Sequence, residues 1–99
     1  MYPSDYGYAA SPDSWNTNLC NYNNDTNRNN NWMFMGLREW TINPSSSYSY
    51  GVFNVYYDGG LVISTASSGC AAKPVFYLKS NVALQGGTGA SSDPYRLAV

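Results

Sequence analysis

The stretch Tyr50–Thr65, which reads YGVFNVYYDGGLVIST, constrains the fold more than any other part of the chain. Two runs of β-branched and aromatic residues flank the Asp-Gly-Gly sequence Asp58–Gly60, a pattern that is typical of a β-hairpin. Aspartate and glycine tolerate the backbone angles that a tight turn requires. We therefore predict two antiparallel strands joined at this turn. Alternation along the first strand gives one wholly apolar face that should meet the core: Phe53, Val55 and Tyr57.

A second apolar segment, Lys73–Leu84, predicts a strand that closes onto the hairpin. Its run Val75–Leu78 is continuously apolar, which is typical of a strand buried on both faces. Pro74 is compatible with the start of such a strand. The sequence thus predicts that Phe76 packs inside, and that a glycine-rich turn leads to a short closing strand, Tyr95–Val99.

The segment Ser11–Asp13 has the composition of a helix start. Serine caps a helix, proline fits the first helical position, and aspartate complements the positive helix end. The apolar residues that follow at helical spacing are Trp15, Leu19 and Tyr22. We therefore predict one short helix near the N-terminus. Residues 1–10 predict instead an arm without regular helix, packed through its tyrosine rings.

The asparagine-rich segment 23–31 predicts a loop. It is either a solvated surface loop or a loop that contacts a ligand through short amides such as that of Asn30. Residues 32–42 follow and predict two short strands, or one strand broken by a bulge at Gly36. Glu39 is the only glutamate, and we predict an exposed or paired surface charge rather than a catalytic carboxylate.

Composition indicates one folded, exported domain, residues 1–99. The net charge of −1 favours neither a nucleic acid nor an anionic membrane as partner, and no apolar run is long enough to span a membrane. Without histidine or a CxxC motif, the chain predicts no metal and no cofactor. Cys20 and Cys70 form either one disulfide or two free thiols, and the sequence leaves both alternatives open.

Three segments carry a family resemblance: WTINPSSSYSYGVFNV with its DGG turn, KPVFYLKSNV, and GGTGASSDPYRL. They resemble a C-terminal domain family of secreted or surface proteins of Gram-positive and gut bacteria, some of which have prepilin-like N-termini. Lys73 and Ala72 stand where that family has arginine and valine. More distantly, the order of elements is similar to the C-type-lectin-like fold of formylglycine-generating enzymes. The resemblance implies an α+β fold with a small twisted, mainly antiparallel sheet and one short N-terminal helix.

The function that we predict is a non-catalytic extracellular binding or display module of a bacterial surface protein. Aromatic rings and short polar side chains are typical of surfaces that bind glycans or proteins. The predicted ligand-binding residues are Trp32, Tyr48, Tyr50, Tyr56 and Asn30. Two alternatives stay open, namely a structural cap or pilin-like subunit segment, and a hydrolase built on carboxylates such as Glu39 and Asp58. The sequence does not indicate the oligomeric state.

Overall fold

The hairpin is the centre of the structure, a computed structural model that describes residues 1–28, 30–90 and 92–98. Strand β2 (Gly51–Val55) pairs antiparallel with β3 (Leu61–Thr65), as predicted. The turn is formed as its composition indicates. Gly59 has a φ of +93°, which a residue with a side chain rarely adopts, and the Asp58 carboxylate accepts a 2.9 Å hydrogen bond from the Gly60 N–H.

Two further strands complete a four-stranded sheet in the order β3-β2-β1-β4. Strand β1 (Glu39–Pro44) is antiparallel to β2, and the short β4 (Ala71–Ala72) is parallel to β1. Of the two strands predicted in residues 32–42, the second is present as β1, but the first is wrong because residues 32–38 form no strand, and no bulged strand runs through Gly36. Gly36 instead has a φ of +69°, which turns the chain before β1 begins. The predicted α+β class, mainly antiparallel with a short N-terminal helix, is confirmed.

The C-terminal part forms a separate two-stranded antiparallel sheet from β5 (Ala83–Gly86) and β6 (Arg96–Ala98). Strand β6 lies within the predicted closing strand Tyr95–Val99, of which Val99 is outside the described residues. The long strand predicted over Lys73–Leu84 is wrong. Val75–Leu78 is irregular and exposed, and the Phe76 ring, predicted to be inside, is 73% exposed. High strand propensity does not suffice here, since the segment pairs with no described strand of the sheet.

Helix α1 (Pro3–Tyr8) occupies the arm for which no helix was expected. Pro3 takes the first helical position, where its missing N–H is harmless, and the Asp5 carboxylate accepts a 2.7 Å hydrogen bond from the Tyr2 N–H. Proline at this position starts a helix rather than breaking one. The helix buries the ring of Tyr6 completely, while the rings of Tyr2 and Tyr8 stay exposed.

The helix predicted from Ser11 onward is replaced by two short 3₁₀ turns, Pro12–Ser14 and Leu19–Asn21. The side chains of this segment bind nearby backbone carbonyls instead of forming one helical face. The Trp15 indole N–H donates a 3.1 Å hydrogen bond to the Ala10 carbonyl, and the Tyr22 hydroxyl donates one of 3.1 Å to Ser14.

Two residues of the asparagine-rich segment, Asn27 and Asn31, are buried, so the first of the two predicted alternatives, a solvated surface loop, is wrong for them. It contains a single-turn helix α2 (Asn24–Asn27), capped by the Asn23 side chain, which accepts a 3.0 Å hydrogen bond from the Thr26 N–H. The Asn31 amide is buried, donates 3.0 Å to the Tyr6 carbonyl and accepts 3.0 Å from the Met33 N–H. These amides join α1 and α2 much as backbone groups would.

The core lies between α1, the hairpin and the segments that precede β1. Its buried apolar residues are Met1, Tyr6, Ala9, Ala10, Tyr22, Met33, Val55 and Leu61. On the predicted apolar face of β2, Val55 is buried and Phe53 packs against the core, but Tyr57 lies beyond the strand end and is exposed. In the described ranges, no helix has the length and apolar character needed to cross a membrane.

Candidate functional site

An open groove beside helix α1 carries the densest group of exposed aromatic rings next to a cavity. The cavity has a volume of about 410 Å³. Its walls come from α1, the turn after Asn31, strand β1 and the irregular segment after β4. We name it the aromatic groove, and its lining residues are Met1, Tyr2, Asp5, Tyr8, Ala9, Trp32, Met33, Ile42, Val75 and Tyr77.

Trp32 is the most informative residue of the groove because its large ring is 81% exposed. The backbone around it is held in place on both sides. Ala10 and Asn31 form an isolated antiparallel bridge, the Ser11 N–H donates 2.7 Å to the Asn30 carbonyl, and the Phe34 N–H donates 3.1 Å to Asn31. An exposed ring on an anchored backbone is preorganised for contact with a ligand.

An ion pair ties the segment before Val75 to the backbone next to Trp32. The Lys73 ammonium lies 3.1 Å from the Glu39 carboxylate, and it also donates a hydrogen bond to the carbonyl of Met33, a groove residue. The Glu39 side chain is only 2% exposed, so the predicted surface charge is in fact buried and paired. The ion pair fixes Lys73, which lies two residues before Val75, and so positions the start of the groove wall.

The polar groups of the groove are few and lie around the rings. Tyr2, Tyr8 and Tyr77 each carry a phenolic hydroxyl, and Trp32 carries an indole N–H. Within the described ranges, none of these four groups has a protein hydrogen-bond partner. The Asp5 carboxylate bonds the Tyr2 N–H through Oδ2 only. The groove therefore combines exposed aromatic rings with hydrogen-bonding groups that have no partner among the described residues.

The structure separates the predicted site residues into different places. Tyr48 and Tyr50 lie together, with ring centroids 6.2 Å apart. They line a second cavity of about 270 Å³, the tyrosine pocket, together with Gly51, Ile63, Ser64 and Thr65. Trp32 is in the aromatic groove, so these tyrosines and Trp32 do not line one cavity.

The other two predicted residues lie outside both cavities. Tyr56 is half-buried, its ring centroid is 4.1 Å from that of Tyr57, and the Arg38 guanidinium lies 5.5 Å from its centre. This cation–π contact gives Tyr56 a structural role in the sheet. The side chain of Asn30 is exposed, as a ligand contact would require.

Sequence reasoning missed the rings that α1 and the irregular segment bring to the groove, namely Tyr2, Tyr8 and Tyr77. The first two would have been found by reading Pro3 as a first helical residue with Asp5 two positions later, since that pair predicts α1. Tyr77 carries no comparable signal. Its segment looks like an interior strand, and only the absence of a partner strand exposes it.

Comparisons with protein-family models, with characterised proteins and with solved structures each find no match. The resemblance to the bacterial surface-protein family and to the C-type-lectin-like fold therefore stays a prediction. Within the described ranges, no three metal-ligating side chains cluster together.

Proposed function

We propose that the chain is a non-catalytic extracellular binding or display module of a bacterial surface protein, and that it binds a glycan in the aromatic groove. The exposure of the Trp32 ring beside a cavity of about 410 Å³ is the observation that carries the proposal. Leaving a large apolar ring in water has a free-energy cost that a bound ligand would recover.

The chemistry of the groove favours a sugar over a wholly apolar ligand. A pyranose has a face of C–H groups, which packs on an aromatic ring, and an edge of hydroxyls, which needs hydrogen-bond partners. The groove supplies ring faces from Trp32 and Tyr77 and free polar groups beside them. Its openness toward solvent suits one or two residues of a longer chain of sugars.

The placement of the two carboxylates considered for a hydrolase, Glu39 and Asp58, supports a non-catalytic role for that pair. The Glu39 side chain is 2% exposed and paired with Lys73, and the Asp58 carboxylate accepts the hydrogen bond of the hairpin turn. A general acid or base must reach the proton that it transfers. Export is supported by composition alone: charged residues make up 11% of the chain, and its polarity comes mainly from asparagine and serine.

A glycan array followed by calorimetry with the sugars that bind would test the proposal. Trp32→Ala should weaken binding at least about tenfold, which corresponds to about 1.4 kcal/mol. Since the ring is exposed, the variant should keep the melting temperature of the parent. Tyr95→Ala removes another exposed ring outside both cavities and serves as the matched control.

If no glycan binds, or if Trp32→Ala and Tyr95→Ala bind equally well, the proposal is wrong. Loss of binding in Tyr48→Ala and Tyr50→Ala, with Trp32→Ala unaffected, would instead place the ligand in the tyrosine pocket. If the chain binds a protein through Trp32 and has no affinity for sugars, the glycan is the wrong ligand, but the chain is still a binding module.

A further inference from the structure

The outer edge of β3 carries backbone groups that pair with no other strand. The two ends of the hairpin fix which groups these are, because the Tyr56 N–H donates 2.8 Å to Gly60 and the Ala66 N–H donates 2.9 Å to Tyr50. Since hydrogen-bonded pairs alternate in an antiparallel ladder, the even-numbered residues of β3 bond to β2. The backbone groups of the odd-numbered residues therefore point outward: Leu61, Ile63 and Thr65.

Only part of this edge is accessible. The 3₁₀ turn Leu19–Asn21 packs beside the start of β3, and Leu61 is buried. At the other end, the Thr65 carbonyl already accepts a 2.9 Å hydrogen bond from the Ser68 N–H. Ile63 lies between them, is 41% exposed, and lines the tyrosine pocket. Its N–H and C=O form the centre of a free strand edge.

The chain also displays an apolar segment without a partner, Val75–Leu78. Its composition is that of a strand, yet in the described part of the chain its backbone makes no hydrogen bond. Phe76, the most exposed phenylalanine of the chain, does not line the aromatic groove. A free strand edge and an unpaired strand-like segment in one molecule are complementary surfaces.

We propose that Pro74–Tyr77 of one copy adds as an antiparallel strand to the accessible part of the outer edge of β3, Val62–Thr65, in a second copy. This interface goes beyond glycan binding, and it shares Val75 and Tyr77 with the wall of the aromatic groove. The antiparallel direction brings the Lys79 ammonium of one copy toward the Asp58 carboxylate at the turn of the other. Both side chains are exposed, so opposite charges favour this direction over the parallel one.

A register in which Phe76 lies opposite Ile63 is compatible with the backbone pattern of β3. The two residues then exchange both of their hydrogen bonds, and the Phe76 ring lies on the face where Ile63 lines the tyrosine pocket. Pro74 falls opposite Thr65. Proline has no N–H to donate. The Thr65 carbonyl needs no donor from the second copy, because it already accepts a hydrogen bond from the Ser68 N–H.

The interface is small, so the association should be weak. Each aromatic ring buries roughly 150–250 Å², and a four-residue strand stays below the roughly 1,200 Å² of a standard interface unless both copies exchange strands. Reciprocal exchange closes a two-fold dimer, whereas one-way addition gives open chains. We expect dissociation constants in a range of about 10 µM to 1 mM.

Sedimentation velocity of the whole chain from about 5 µM to 1 mM tests the proposal over that range. Ile63→Pro removes the outward N–H while leaving the ladder to β2 intact, because proline is tolerated on the open side of an edge strand. Phe76→Asp places a charge in the incoming strand. Each variant should weaken association at least about tenfold, and Tyr95→Asp, a matched exposed control, should not.

Asp58→Asn keeps the oxygen that caps the turn and removes only the charge. It should weaken association about two- to fivefold and make it less sensitive to salt. Circular dichroism and the melting temperature identify any variant that fails to fold. If Ile63→Pro fails to fold, Phe76→Asp still tests the interface, because its side chain is exposed and its substitution should leave the fold intact. A chain that stays monomeric at 1 mM would overturn the proposal. So would association that Ile63→Pro and Phe76→Asp leave unchanged.

Discussion

The Tyr6 hydroxyl donates a 2.7 Å hydrogen bond to the Gly59 carbonyl, across a separation of 53 residues. It joins helix α1 to the turn of the hairpin, and the Asn27 amide reaches the same carbonyl at 3.4 Å. One peptide group of the turn is therefore the meeting point of both N-terminal helices and the sheet.

This bond makes stability sensitive to alkaline pH. Burial, and then the charge of Glu39, raise the pKa of Tyr6 above its usual value of about 10. The unfolded chain therefore loses this proton first, and the free energy of unfolding should fall as the pH rises above about 10, by up to about 1.4 kcal/mol per pH unit for this group. Below about pH 10 the contribution of Tyr6 is fully present.

Tyr6→Phe should cost about 1–2 kcal/mol at pH 7 and flatten the alkaline fall. Some slope should remain, because burial also raises the pKa of Tyr22 and the neighbouring Tyr57 hydroxyl raises that of Tyr56. Urea unfolding between pH 7 and 11 measures both effects, with the fully exposed Tyr77→Phe as the control. An unchanged alkaline slope in Tyr6→Phe would contradict the assignment.

Gly59→Ala should destabilise the fold by at least about 2 kcal/mol. The left-handed backbone at a φ of +93° is unfavourable for alanine, and the new Cβ would collide with the side chain of Asn27. Gly69→Ala is the matched control, since no described atom lies within 4 Å of its Cβ position. It should change stability by less than about 1 kcal/mol. Equal melting temperatures for the two variants would show that the turn is not held as described.

Lys73→Met should destabilise the protein by about 3 kcal/mol because it leaves the buried Glu39 carboxylate without its counter-charge. The double variant Glu39→Met with Lys73→Met should recover most of that loss. Lys79→Met, which changes an exposed lysine outside both ion pairs of the described residues, is the control. Chemical denaturation of the parent, the single variants Glu39→Met and Lys73→Met, and the double variant gives the coupling energy. Additive effects would mean that the two charges do not interact.

The two cysteines are free in the structure, with Cys20 exposed and Cys70 half-buried. Alkylation of the native protein without reductant should add two groups to the intact mass. Modification of Cys20 should be the faster of the two because its sulfur is more accessible. A mass that accepts alkylation only after reduction would reveal a disulfide.

The hairpin could be predicted because its determinants are local. The Asp58–Gly60 turn and the alternation of Phe53 and Val55 act within a few residues, and neither depends on a distant partner. The closing strand near the C-terminus follows the same logic, since β5 and β6 are joined by a glycine-rich turn.

Other parts of the structure depend on residues that are distant in sequence. Glu39 is buried because β4 brings Lys73 beside β1. No property of the residues around Glu39 predicts this contact. Phe76 has the character of a core residue but lacks a partner strand. In the candidate site, Trp32 was predictable from its own chemistry, whereas its neighbour Tyr77 joins it only through the folded chain.

The position of Gly59 in the chain also determines the order in which the fold can be completed during synthesis. The segments that form the two N-terminal helices are synthesised before the carbonyl that holds both of them. Until the hairpin emerges, the Tyr6 ring has no interior to enter, and the apolar side of α1 stays open to chaperones or to other nascent chains. Slow translation just before residue 51 would lengthen that exposed interval, and fast closure of the short hairpin would end it.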